Sequence, residues 1–176
     1  MNVFKTILLI LTGMLGVVLS CKDQGDELPV PAPILSDAEL FRHITQVDPF
    51  TSYTLFPAVD SIAAGTTTAH QSLVRVSLNA KAMFALQNDS LPAGSRFPDR
   101  SIIFKQIIVN GRTTLYAVIF KDSNNPLSGN GWLWAEFDPN GTAFISLTRK
   151  GVNCTPCHSL EQGMRHDFVR TFERQR

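Results

Sequence analysis

The sequence predicts an α+β fold, a mainly antiparallel β-sheet of about five strands with helices at both ends. Stretches of alternating apolar and polar residues between positions 73 and 147 indicate half-buried strands. Asn110-Gly111 lies between two of these stretches and is a residue pair that two-residue hairpin turns favour. Helix signals flank the strands, at Ser36 on one side and at Cys154–His158 on the other. An all-helical domain is therefore disfavoured.

The helices are predicted from capping residues. Ser36 and Glu39 have the spacing of a capping box and begin the first helix. Residues 53–57 follow as an aromatic stretch that we expect to be irregular and packed against the core. Asn79 begins a short helix between the first two strands, and a last helix is predicted over Met164–Phe172.

The strands are predicted from alternation and from the turns between them. They are Leu73–Leu78, Ser101–Val109, Thr113–Phe120, Gly131–Phe137 and Thr142–Leu147. Asn110-Gly111 joins the second strand to the third. Turn-forming residues at positions 138–141 close a second hairpin between the last two strands.

The N-terminus predicts an exported lipoprotein. Residues 1–20 combine Lys5 with an apolar run that is too short for a confident membrane span, as in a secretory signal peptide. They lead into Cys21 in a pattern that resembles a bacterial lipobox, whose cysteine becomes the lipidated first residue; an ordinary signal peptide is the alternative. Residues 21–35 are acidic and then proline-rich, which predicts an extended tether. Residues 36–176 form the predicted domain, facing the periplasm or lying at the outer membrane.

Five residues near the C-terminus, Cys154–His158, have the C-x-x-C-H spacing of a c-type haem attachment site. Thiols at this spacing on a helical turn reach two vinyl groups of one porphyrin, and His158 can then bind the iron. Asn153 is the predicted N-cap, and the helix N-terminus is expected to lower the pKa of the thiols of Cys154 and Cys157. Zinc binding and a redox dithiol are the alternatives, but no other histidine has zinc-ligand spacing from the motif.

Composition is consistent with an exported haem protein. The chain has three cysteines, and none is left unassigned if Cys21 carries lipid and Cys154 and Cys157 carry haem. Removal of residues 1–20 takes one basic residue, Lys5, from a total of 16 and leaves 15 basic against 15 acidic residues. A formally neutral chain has no basic field to attract nucleic acid, so small molecules, redox proteins and the membrane are the expected partners.

Two cations interrupt apolar strands. Lys105 shares one predicted face with Ile103 and Ile107, so it lies either at a solvated edge or in a pocket, where a desolvated amine becomes a nucleophile. Arg75 lies between Val74 and Val76 and is by default on the solvent face. In a haem pocket its guanidinium can bind propionates or a polar iron ligand.

From about His70 to the C-terminus the residues resemble the family of cytochrome P-460 and cytochrome c′-beta. The matching features are His70, the strand with Arg75, the helix start Asn79-Ala80, Phe97–Gln106, Gly131–Trp134, Cys154–His158 and Asp167–Phe172. The resemblance implies a mainly antiparallel β fold, commonly dimeric, with a five-coordinate c-type haem and His158 as proximal ligand. It also places Lys105 at the lysine that bonds to the porphyrin in the P-460 branch, and Arg75 at a distal arginine of that branch.

The resemblance implies chemistry on small nitrogen species, either hydroxylamine oxidation with a redox partner protein or NO binding. Oxidation needs a proton-accepting carboxylate, and Glu136 is the candidate; NO binding suits an apolar pocket lined by phenylalanines, of which the chain has twelve. One alternative is a six-coordinate electron-transfer cytochrome with Met83 or Met164 opposite His158. Another is a haem-free binding module with a metal site.

Overall fold

A computed structural model of the chain describes residues 31–63, 70, 73–160 and 166–170. The chain divides into two compact units, Met1–Pro31 and Ala32–Arg176. The predicted signal peptide and Cys21 lie outside the described residues, so both stay predictions. Within the described part, every helix is too short or too polar to cross a membrane.

Within the residues described, one antiparallel sheet of seven strands organises the domain. The strands are β1 (Thr54–Leu55), β2 (Ile62–Ala63), β3 (Leu73–Leu78), β4 (Ile102–Val109), β5 (Arg112–Lys121), β6 (Trp132–Phe137) and β7 (Ala143–Ile145). Their spatial order is β1-β3-β4-β5-β6-β7, and β2 also pairs with β3. The predicted fold class and the five predicted strands, β3 to β7, are confirmed. Strand β1 falls in the stretch predicted to be irregular, because two residues are too few to show alternation.

The predicted turns set the register of the sheet. Asn110 and Gly111 have φ angles of +52° and +73°, the left-handed pair that a type I′ turn between β4 and β5 requires. At the second hairpin the carboxylate of Asp138 accepts hydrogen bonds from the backbone N–H groups of Asn140 and Thr142, at 2.9 and 2.8 Å. These turns determine which side chains of neighbouring strands lie opposite each other.

The sheet buries both of its faces. We call one the tryptophan face, whose buried side chains are Val74, Val76, Leu78, Ile103, Ile107, Ile119, Trp132 and Trp134. We call the other the phenylalanine face, whose buried side chains are Ile102, Phe104, Val118, Phe120, Leu133, Ala135 and Phe137. Each large apolar side chain buried in this way contributes about 1.5–3 kcal/mol. Because successive side chains of a strand point to opposite faces, the strands form two separate cores, one on each side of the sheet.

The first helix covers the phenylalanine face. Helix α1 (Asp37–Arg42) continues as a π-helical turn over His43–Val47. The Ser36 hydroxyl accepts a hydrogen bond from the backbone N–H of Glu39 at 3.2 Å, which confirms the predicted N-cap. Leu40 is fully buried in the core of this face. The helix thus closes one side of the sheet and leaves the tryptophan face to other segments.

The end of the predicted tether contacts the domain. Ile34 is buried in the core of the phenylalanine face. Its backbone carbonyl accepts a hydrogen bond from Nδ2 of Asn125 at 2.9 Å. The chain is therefore anchored to the domain a few residues before α1 begins.

Two short helices flank the remaining strands, and the C-terminal predictions need correction. Helix α2 (Ala80–Phe84) is capped by Asn79 as predicted, whereas α3 (Thr155–His158) begins after Cys154 without a side-chain cap. The prediction that Asn153 is the N-cap is therefore wrong. The helix predicted over Met164–Phe172 is also wrong within residues 166–170, because Asp167 and Phe168 have φ angles of +53° and +68°.

Candidate haem site

The C-x-x-C-H segment forms one helical turn against the tryptophan face. The backbone N–H groups of Cys154 and Thr155 both donate to the carbonyl of Gly151 at 2.8 Å, and that of His158 donates to the carbonyl of Cys154 at 3.0 Å. Cys154 is half-buried against the core of this face, whereas Cys157 is exposed. Both thiols are free.

The imidazole of His158 is fixed by two contacts. Its Nδ1 lies 2.7 Å from the backbone carbonyl oxygen of Phe168, so Nδ1 carries the proton and donates it. Its ring meets the indole of Trp134 edge to face, with 4.9 Å between centroids. The unprotonated Nε2 then keeps its lone pair, which is the form that binds a metal.

The electrostatic surroundings keep His158 neutral. Burial, and after it the positive charge of Lys105, lower the pKa of His158 to about 3, although the hydrogen bond to Phe168 acts in the opposite direction. A neutral imidazole binds iron, whereas an imidazolium does not. His158 is therefore in the neutral form that can bind iron across the physiological pH range.

The expected effect on the cysteine thiols is reversed for Cys154. Burial raises the pKa of the Cys154 thiol to about 11, and the negative charges of Glu136 and Cys157 act in the same direction. The prediction that the helix N-terminus lowers this pKa is wrong because α3 has a single turn, so its dipole is small compared with the cost of burying a thiolate.

The loop before the motif is packed against a tryptophan. Gly151 has φ +73°, and a Cβ atom at this position would collide with the indole ring of Trp134. The indole Nε1 donates to the backbone carbonyl of Gly129 at 2.8 Å, so the ring cannot move aside without breaking that bond. Trp134 consequently positions both the loop and the ring of His158.

Lys105 lies on the same side of the sheet as the motif. Its partners in register are Val76 on β3 and Ala117 on β5, and Ala117 is in turn opposite Glu136 on β6. Its side chain is half-buried, and its charge is close enough to lower the pKa of His158. The predicted face is therefore confirmed, and the alternative of a fully solvated edge is not observed.

Glu136 and His70 form a hydrogen-bonded pair that the sequence does not predict. Nε2 of His70 lies 2.8 Å from Oε1 of Glu136, and the glutamate is 8% exposed. His70 was noted only as the start of the resemblance, because 66 positions separate it from Glu136 and no spacing rule connects them. The pair lies on the tryptophan face, two residues along β6 from Trp134.

Arg75 is on the opposite face from Lys105. It is paired in register with Gln106, whose side-chain oxygen accepts from Nη1 at 3.4 Å, and its guanidinium forms an ion pair with Asp60. The structure thus does not bring Arg75 together with Lys105 and the C-x-x-C-H segment. Its predicted role in a distal pocket stays untested.

The residues present fit a covalent haem. Cys154 and Cys157 are free thiols at the required spacing, and the imidazole of His158 is neutral with Nε2 as its acceptor atom. Met83 packs against the same core, whereas Met164 lies outside the described residues. Among the residues described, no three of the types His, Cys, Asp and Glu are grouped to hold a metal ion on their own.

Two comparisons with known proteins bear on these observations. The family model described as Cytochrome P460 matches residues 56–171, which include the strands of the sheet from β2 to β7 and the C-x-x-C-H segment. A search of curated proteins gave no match.

Proposed function

Because the chain belongs to the cytochrome P460 family, which implies a haem cofactor, we propose that it carries one haem c bonded to Cys154 and Cys157, with His158 as the proximal iron ligand. The observation that carries the proposal is the hydrogen bond from Nδ1 of His158 to the Phe168 carbonyl. This bond orients the ring and leaves Nε2 free for the iron.

Maturation of the protein with a c-type haem attachment system tests the proposal. We expect covalent haem in the purified protein and its loss when Cys154 and Cys157 are replaced by serine. His158→Ala should keep the thioether bonds but change the spectrum, because the proximal ligand is lost. His43→Ala is the matched control, since this buried histidine lies on the phenylalanine face. Protein without covalent haem after maturation would refute the proposal.

The open side of the haem is proposed to receive a small nitrogen species, for hydroxylamine oxidation or NO binding. When bound, the haem supplies an iron that takes a small ligand and exchanges electrons with a redox partner. Glu136 is the proposed proton acceptor, because it is a carboxylate on the face of the sheet that carries the motif and is held by His70. Lys105 is the proposed site of a third bond between protein and porphyrin.

Two variants distinguish these chemistries. Glu136→Gln keeps the size of the side chain and removes the proton acceptor, so hydroxylamine oxidation should fall about 10²–10⁴-fold while NO binding is retained. Lys105→Arg keeps the charge but prevents a porphyrin bond. If the bond exists, the absorption spectrum of the variant should differ, and only the wild type should be lighter than the sum of its chain and haem, by the two hydrogens that an N–C bond to the ring replaces and that an oxidant must take up. A wild-type spectrum identical to that of an ordinary high-spin c-type haem would exclude this bond.

A six-coordinate electron-transfer cytochrome is the second candidate, and the position of Met83 favours it. Met83 is half-buried against the core of the tryptophan face, the side on which His158 lies. A low-spin spectrum that becomes high-spin in Met83→Ala would establish this alternative. A spectrum that is high-spin in the wild type would eliminate it.

We also propose that the mature protein is exported and anchored by lipid at Cys21, facing the periplasm or at the outer membrane. Sequence features support the anchor, as does the polar segment that follows it. Incorporation of labelled fatty acid, and its loss in Cys21→Ser, tests the proposal. A homodimer is expected for the matured protein, and its mass in solution tests that.

A further inference from the structure

A buried carboxylate fixes the segment that contacts His158. The Asp167 side chain is fully buried, and its oxygens accept hydrogen bonds from Nη1 of Arg96 at 2.8 Å and Nζ of Lys121 at 2.7 Å. The backbone N–H of Phe97 donates to the same carboxylate at 3.0 Å. Indole Nε1 of Trp132 donates to the backbone carbonyl of Asp167 at 2.8 Å. Four groups from three segments therefore hold one residue.

The backbone held in this way has an uncommon conformation. Asp167 and Phe168 follow one another at φ +53° and +68°, a region that non-glycine residues rarely adopt because it strains the backbone. Such a conformation persists where surrounding contacts determine it. This backbone conformation directs the carbonyl of Phe168 toward His158, and its oxygen accepts a hydrogen bond from Nδ1 of His158 at 2.7 Å.

We propose that Asp167 is a positioning residue for the proximal haem ligand: through the Phe168 carbonyl it fixes the tautomer and orientation of His158 and thereby sets the reduction potential of the iron. The inference rests on the proposed haem function. A hydrogen bond from Nδ1 increases the electron donation of an imidazole to its metal. Loss of that bond makes the iron more electron-poor and favours its ferrous form.

Asp167→Asn tests the proposal in matured, haem-loaded protein. The amide keeps an oxygen for the Phe97 N–H but loses the ion pairs with Lys121 and Arg96. We expect a higher reduction potential, with the ferrous-to-ferric equilibrium shifted by about tenfold, and a lower iron–histidine stretching frequency in the ferrous protein. Asp60→Asn is the matched control, because it removes an ion-paired carboxylate on the other face of the sheet.

A second measurement does not need haem. Nitrogen NMR of the unloaded wild type should show His158 protonated at Nδ1, and Asp167→Asn should shift it toward the Nε2–H tautomer. Absence of haem from the matured wild type would refute the proposed function alone, since the tautomer still reports on Asp167. If Asp167→Asn does not fold, Arg96→Gln removes one donor from a side chain that is 66% exposed, and a smaller shift in the same direction is expected. A folded variant with unchanged potential, frequency and tautomer overturns the inference.

Discussion

At the scale of single residues, burial favours the neutral form of His43. His43 is 8% exposed, and its ring meets Phe120 edge to face at 5.1 Å. Burial lowers the pKa of His43, and the positive charge of Arg100 lowers it further, while Asp48 opposes them. The imidazole is thus neutral when folded and takes up a proton more readily once unfolded.

The pH dependence of stability should reveal His43. Because its folded pKa is below its unfolded value, its contribution is fully present above the unfolded pKa, near 6.5, and is lost as the pH falls toward the folded pKa. The free energy of unfolding should therefore fall between pH 7.5 and 5.5 by a larger amount in the wild type than in His43→Gln. Urea denaturation at both pH values measures this. Equal losses in the two proteins would contradict the prediction.

Gly151 gives a second prediction, because both its backbone and its surroundings exclude a side chain. Gly151→Ala should lower the free energy of unfolding by about 2–4 kcal/mol, from the positive φ together with overpacking against Trp134. Gly94→Ala is the control: its φ is +81°, but a Cβ there meets nothing within 4 Å, so only the backbone cost of about 1 kcal/mol applies. Thermal unfolding of the variants compares the two, and equal effects would exclude a role for Trp134.

Residue roles were predictable where spacing alone defines them. The motif Cys154–His158 and the face of Lys105 follow from short-range patterns in the sequence. The pairing of His70 with Glu136 and the acceptor for His158 do not, because each joins segments that only the folded sheet brings together. The raised pKa of Cys154 was missed for the same reason, since its burial depends on tertiary packing.

At the scale of elements, Asn79 joins three segments with one buried amide. Its Oδ1 accepts from the backbone N–H groups of Ala82 in α2 and Ile102 in β4, both at 3.0 Å. Its Nδ2 donates to the carboxylate of Asp48 at 2.9 Å and to the carbonyl of Arg100 at 3.0 Å. The residue was predicted only as a helix cap, but the structure shows that it also fixes the start of a central strand.

Replacement of Asn79 should therefore cost more than the loss of an ordinary cap. Asn79→Ala leaves two buried N–H groups without their acceptor and should lower the free energy of unfolding by about 2–4 kcal/mol. Ser36→Ala removes the more exposed cap of α1 and should cost about 1 kcal/mol. Chemical denaturation of both variants gives the comparison. Similar losses would mean that the bond to β4 contributes little.

Strands were predicted more reliably than the C-terminal elements, and the reason is physical. Strands β3 to β7 carry alternation that reflects burial on two faces, together with turn residues that need positive φ. Residues 166–170 have helix-compatible side chains, but the hydrogen bonds of Asp167 impose another conformation. Long-range polar contacts of this kind override local propensity.

At the scale of the whole molecule, the sheet places the candidate haem site on one of its two buried faces and helix α1 on the other. Its phenylalanine face is closed by α1, whose side chains Leu40 and Phe41 pack there. Its tryptophan face meets the segment with His158. The alternation along β6, where Trp134 and Ala135 point to opposite sides, separates the two faces. Haem bound at the motif should accordingly stabilise the tryptophan face more than the phenylalanine face.

Hydrogen exchange with and without haem tests this separation. The thioether bonds persist when the chain unfolds, but the contacts that a bound haem would make with His158 form only in the folded protein. Attachment should therefore slow amide exchange in residues 151–160 and in β6 by at least tenfold, through the contact of His158 with Trp134. Residues 37–47 should change much less, because α1 packs on the other face. Protein with both Cys154 and Cys157 replaced by serine, passed through the same maturation, is the control that cannot form the thioether bonds. Equal slowing in α1 and in residues 151–160 would show that the two faces respond to haem as one cooperative unit, because local protection would then equal the gain in global stability.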